Sequence, residues 1–250
     1  MIQSGDFVKI KRNRREDLED VLNVCIVVFV GTGVSILVNR PDEGAVLVGR
    51  GIENLKYFTV LSNLFCGLVA AIRLFFSIFL HNRIFVAPKL MAASAVSVTL
   101  IVVGAVLAPL YPDLNMYAGS NLYYHLIVPL IAIAECIIME TKEKIPFKYT
   151  FYSAAFALIY GIYYLGNILI NGVGEWPYTN DWYGFLNWGW PVGIGIFAFV
   201  VLLNWGMACL LRFMNIKFDN LIKRMQQRYH KSMINEEINA QKDNGDKKEI

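Results

Sequence analysis

Hydropathy along the 250-residue chain falls into six long apolar blocks divided by short polar connections. The blocks lie at about 21–38, 57–80, 89–110, 121–140, 149–171 and 189–211. A helix needs about 20 mostly apolar residues to cross roughly 30 Å of hydrocarbon, so each block is a candidate span. The runs are continuously apolar and lack a period-two alternation, which favours helices over a barrel. The expected fold is all-α: a bundle of six transmembrane helices over 21–211. A basic segment, 1–20, precedes it, and a basic tail, 212–250, follows.

Composition agrees with the pattern. The chain is 56% hydrophobic and 17% charged, with mean hydropathy +0.45. Soluble domains are nearer 45–50% apolar and about 25% charged. These values exclude a soluble enzyme, a disordered chain, a coiled coil and a nucleic-acid-binding domain. The lipid bilayer is the expected surrounding, and no nucleic-acid partner is expected.

The net charge of +3 matters through its distribution. Lys and Arg crowd the N-terminal segment (Lys9, Lys11, Arg12, Arg14, Arg15), the 141–148 turn (Lys142, Lys144, Lys148) and the tail (Arg212, Lys217, Lys223, Arg224, Arg228, Lys231). The 81–88 turn adds Arg83, with Lys89 at its edge. Opposite them, loop 39–56 has Arg40, Arg50 and Lys56, and loops 111–120 and 172–188 have none. The positive-inside bias predicts cytoplasmic termini, in a plasma membrane. Glu16, Asp17, Glu19 and Asp20 separate the basic flank from the first block, and no small-residue cleavage site follows. That block reads as an uncleaved anchor.

In the tail, Met214, Phe218, Leu221, Met225 and Tyr229 recur at helical spacing among basic residues. A solvated extension of the last span is preferred over an interfacial helix on anionic lipid. Disorder is expected from about residue 235. Cys25, Cys66, Cys136 and Cys209 stand one to a span, without disulfide or zinc spacing. His81, His125 and His230 are too scattered for a metal site. No metal and no cofactor is expected.

Ionisable residues inside spans are costly and read as functional or paired. Arg73 lies 16 residues into the second span and Glu135 lies 14 into the fourth. At about 1.5 Å per residue these are similar depths, roughly 24 and 21 Å. An Arg73–Glu135 ion pair is therefore expected, as a structural bolt rather than a relay. Small residues should let helices approach closely: Ala92, Ala93, Ser94 and Ala95, and Gly67 with Ala71.

Thr59, Asn63, Cys66, Ala70 and Arg73 share one helical face, and His125, Val128, Ala132 and Glu135 share another. Turning the two faces together would bring Thr59 and His125 side by side near the outer surface. Tyr160, Tyr164, Asn167 and Asn171 form a third stripe ending at that level. Loop 172–188 brings Glu175, Trp176, Pro177, Tyr178, Asp181, Trp182 and Tyr183, and Trp188 and Trp190 follow. An interfacial aromatic belt accounts for this cluster, and its position suits the lid of a cavity. Asn63, Asn167, Asn171, Trp176 and Tyr178 are the candidate substrate-binding residues.

Tyr57-Phe58-Thr59-Val60-Leu61-Ser62-Asn63-Leu64, Tyr124-His125-Leu126-Ile127-Val128-Pro129-Leu130 with Glu135 downstream, and Trp176-Pro177-Tyr178 resemble motifs of one family. It comprises the androgen-induced and androgen-dependent TFPI-regulating membrane proteins and microbial six-span relatives. The resemblance covers roughly residues 20–210. It implies a threonine hydrolase of lipid esters, such as fatty-acid esters of hydroxy fatty acids, with Thr59 and His125 essential. A threonine hydroxyl needs a neighbouring base to attack an ester, and a neutral imidazole can take and return its proton. Here the outer loop reads Trp-Pro-Tyr instead of the family's Tyr-Pro order. A non-catalytic transporter or lipid-binding protein with the same cavity is the alternative. The expected ligand is a membrane lipid or amphiphilic ester.

Overall fold

A computed structural model describes residues 14–39, 51–80, 85–141, 143–175 and 178–246. Among these residues the regular structure is helical, with no strand. Six helices are long and apolar enough to cross a membrane: α1 (Arg14–Asn39), α2 (Phe58–Leu80), α3 (Val86–Leu110), α4 (Ser120–Ile138), α5 (Lys148–Asn171) and α6 (Trp190–Asp246). The chain is a membrane protein built as an all-α bundle. The charges expected at Lys9, Lys11, Arg12, Arg40, Arg50, Arg83 and Lys142 lie outside the described residues.

Four of the six spans begin and end close to the hydropathy boundaries. The exceptions are informative. α1 starts at Arg14, seven residues before the apolar block, because Glu19, Asp20 and Asn23 are buried and belong to the bundle. α6 runs on as one helix to Asp246, where a disordered tail was expected. Met214, Leu221, Met225 and Tyr229 are exposed on that extension.

α3 lies at the centre, touching α2, α4, α5 and α6. Ala92, Ala93, Ser94 and Ala95 are all buried in it, as small residues at close crossings should be. On α2, Gly67 meets Val30 of α1, but Ala71 is exposed and its neighbour Ala70 faces inward.

α3 and α4 each contain one turn of π-helix, Val103–Leu107 and Tyr123–Ile127. Pro109 and Pro129 each stand two residues beyond. Proline has no N–H to continue the i→i−4 ladder. The wider turn absorbs the fault: Ala108 donates to Val103 O and Val128 to Tyr123 O, five residues back.

The two ends of the bundle differ. At the tail end, polar side chains stitch helix to helix. Asn215 of α6 donates to the carbonyls of Cys136, Ile137 and Met139 at 3.0, 3.2 and 2.9 Å, so it covers the unpaired C-terminus of α4. Arg15 reaches Ile138 O at 2.6 Å and Asp219 at 2.8 Å. At the loop end, segments 111–119 and 178–189 pack over the helix termini.

The buried charges within the spans occupy the tail-end half. Glu19 of α1 pairs with Arg73 of α2. Lys89 of α3 pairs with Glu135 of α4 at 2.8 Å. Asn23 joins the groups, donating to Glu135 at 3.2 Å and accepting from Lys89 at 2.7 Å. This corrects the expected Arg73–Glu135 pair. Both residues are buried at a common level, but each takes its counter-charge from its own neighbour helix. Glu19 sits just before the first apolar block and Lys89 at the very edge of the third, and hydropathy alone placed them at the water boundary. A buried charge without a partner costs several kcal/mol, and the extended starts of α1 and α3 supply those partners.

Candidate functional site: an apolar cavity beside Thr59

The inward stripes are as expected. Asn63, Cys66, Ala70 and Arg73 on α2 are buried, as are His125, Val128, Ala132 and Glu135 on α4. Thr59 opens the α2 stripe and is half-buried. It lies on the wall of a cavity of about 110 Å³ at the loop end.

Five parts of the chain build that wall: the start of α2, the second half of α3, the middle of α5, the 172–189 loop and the first turns of α6. The π turn of α3 contributes both its ends, Val103 and Leu107. Gly161 of α5 lets Phe197 of α6 close in, since a Cβ there would collide with the ring. The wall is mostly apolar. Its polar groups are hydroxyls, from Thr59, Thr99, Tyr160, Tyr164 and Tyr183.

The loop is held over the cavity by an aromatic cluster and a capped carboxylate. Tyr164, Trp182, Tyr183 and Phe185 make tilted, edge-on or stacked contacts. Asp181 accepts the N–H groups of Phe185 and Leu186, both at 2.9 Å, and the Tyr164 hydroxyl. Tyr183 accepts Phe58 N–H at 2.7 Å, filling one of the four unpaired donors at the start of α2. Burial pushes the Tyr183 hydroxyl up to about 12, so it is neutral at physiological pH. Tyr160 donates to Lys56 O at 2.6 Å and accepts from Trp182 Nε1 at 3.2 Å.

His125 is 4% exposed, within the π turn of α4. Its Nδ1 lies 2.6 Å from Met116 O. A carbonyl only accepts, so Nδ1 carries the proton and Nε2 is the basic nitrogen of the neutral ring. His125 is not part of the wall that holds Thr59. The two helices are tied at this level by Asn63, which donates to Thr59 O at 2.7 Å and Tyr124 O at 3.1 Å.

The candidate substrate-binding residues are placed elsewhere. Asn63 uses its amide N–H groups on backbone carbonyls. Asn171 donates to Asn167 at 2.8 Å, Asn167 to Asn180 at 3.0 Å, and Asn180 to Gly172 O at 2.8 Å. That amide chain clamps the loop to the end of α5. Tyr178 is 87% exposed and outside the cavity wall. Trp176 lies outside the described residues. Thr99 and Phe185 were missed as wall residues, whereas Tyr183 belongs to the loop expected over a cavity. For Thr99 a signal existed: it follows Val98 on the small-residue face of α3, four residues past Ala95.

No protein family, characterised protein or solved structure matches the chain.

Proposed function

We propose that this six-span protein holds an amphiphilic membrane lipid in the cavity at its loop end. Both termini are cytoplasmic in this reading, because the basic residues gather at the tail end. The carrying observation is the Thr59 hydroxyl, with a few others, on the wall of a mostly apolar cavity between α2, α3, α5 and α6. Ligand sites take this form, with an apolar lining and a few placed polar groups. The test is photolabelling of purified protein with an alkyl-diazirine lipid, followed by peptide mapping. Label should concentrate on α2 and α3 wall residues. Label confined to the exposed faces of α5 and α6 would refute the reading.

Hydrolysis of a lipid ester is the second reading, with Thr59 as nucleophile and His125 as base. The Met116 carbonyl favours it, since it fixes the tautomer that leaves Nε2 able to accept a proton. The motif resemblance points the same way. A fluorophosphonate probe should label the protein, and Thr59→Ala and His125→Ala should each abolish labelling. Unchanged labelling of Thr59→Ala would exclude this mechanism.

A further inference from the structure

Thr99 is 4% exposed and lines the cavity, and its hydroxyl oxygen has no hydrogen-bond partner among the described residues. A helical threonine ordinarily returns its hydroxyl to a carbonyl one turn back. On the same helix Ser97 does this, donating to Ala93 O at 2.6 Å. A buried hydroxyl left unpaired costs about 1–3 kcal/mol. Thr99 is therefore a donor and acceptor held ready at the cavity surface.

Its neighbours limit what it can receive. Tyr160 spends its proton on Lys56 O. Tyr183 accepts from Phe58 N–H at 2.7 Å and has the Tyr160 hydroxyl 3.5 Å away. Among the described wall residues there is no Asp, Glu, Lys, Arg or His. Lys56 turns its ammonium over the rings of Tyr57 and Trp182, at 5.3 and 5.7 Å. Asp181 lies behind Tyr164 and Phe185 with its oxygens occupied. An ionised headgroup would enter without a counter-charge, and such burial is prohibitive. An uncharged polar group on an alkyl chain meets hydroxyls and an apolar wall.

We propose that the cavity selects a single-chain amphiphile with an uncharged polar group, an alcohol or a neutral carbonyl, anchored by Thr99. This rests on the lipid-binding reading above and names its ligand class and its anchor residue.

The experiment uses the full chain in detergent and a long-chain alkyl-diazirine as label, with 1-dodecanol, methyl laurate, laurate at pH 8 and dodecane as competitors. The alcohol and the ester should compete best, dodecane less well, and laurate least. Thr99→Val should weaken dodecanol competition by about five- to tenfold, the worth of one hydrogen bond, and leave dodecane unchanged. Thr99→Ser retains the hydroxyl and should behave like the parent chain, which guards against a folding defect in the valine variant. Ala157→Leu fills the cavity and should remove specific labelling altogether. Laurate competing as well as dodecanol would overturn the charge selection. An unaltered dodecanol preference in Thr99→Val would overturn the anchor. Labelling that survives Ala157→Leu would instead overturn the cavity reading beneath both.

Discussion

Lys89 Nζ and Glu135 face each other at 2.8 Å inside the helical bundle, 2% and 0% exposed. Removing one member of such a pair strands the other, at about 3–5 kcal/mol. Lys89→Glu or Glu135→Lys alone should abolish monodisperse protein in detergent, and the double swap should restore it. For Arg73 the rescuing partner should be Glu19: Arg73→Glu recovers with Glu19→Arg and not with Glu135→Arg. Recovery by the latter would contradict the pairing.

Glycines separate into crowded and open positions. A Cβ on Gly67 would lie 2.9 Å from Val30 Cγ1, whereas one on Gly166 meets nothing within 4 Å. Gly67→Ala should lower stability by about 1–3 kcal/mol through overpacking. Gly166→Ala should be neutral or slightly stabilising, since alanine is the better helix former. Thermal unfolding in one detergent compares the two.

Tyr183→Phe keeps the ring and removes the acceptor for Phe58 N–H. About 1 kcal/mol of stability should be lost. The hydroxyl ionises in the folded protein at about 12, above its ordinary 10.0. A raised value contributes stability that is complete below pH 10 and is lost as pH climbs through 12. The parent chain should therefore lose its margin over Tyr183→Phe across that window, seen as converging melting temperatures. A constant margin would mean that burial does not hold the phenol neutral.

Asn63→Leu tests scaffold against ligand contact. Its amide serves Thr59 O and Tyr124 O, both backbone. The substitution should cost about 1–3 kcal/mol of stability and leave dodecanol competition within twofold at temperatures where the variant is folded.

Much of the fold was legible in hydropathy, because long apolar runs have one solution in a bilayer. The inward faces of α2 and α4 were legible for a related reason: Arg73 and Glu135 have to turn away from lipid. Their partners were hidden because Glu19 stands before the first apolar block and Lys89 at the edge of the third, and only three-dimensional packing carries a helix past its hydrophobic edge. At the site, Thr59, Tyr160, Tyr164 and the aromatic loop were visible as a stripe and a cluster. The asparagines misled. An amide signals polarity in lipid surroundings, but a backbone carbonyl or another amide can take up its N–H groups, and here they do. Thr99 gave a faint signal, since a lone threonine in a span ordinarily bonds its own helix.

The pairing of charges bears on how the chain enters a bilayer. Glu19 and Arg73 belong to the first two helices, and Lys89 and Glu135 to the third and fourth. Each successive hairpin thus closes one ion pair between its own two helices, and in the first Ser77 also donates to Asp20. A cross-link between the second and fourth helices would have left a bare charge in each hairpin until both had arrived. With the observed partners, either hairpin can leave the translocation machinery with its ion pair already closed, before the rest of the bundle exists.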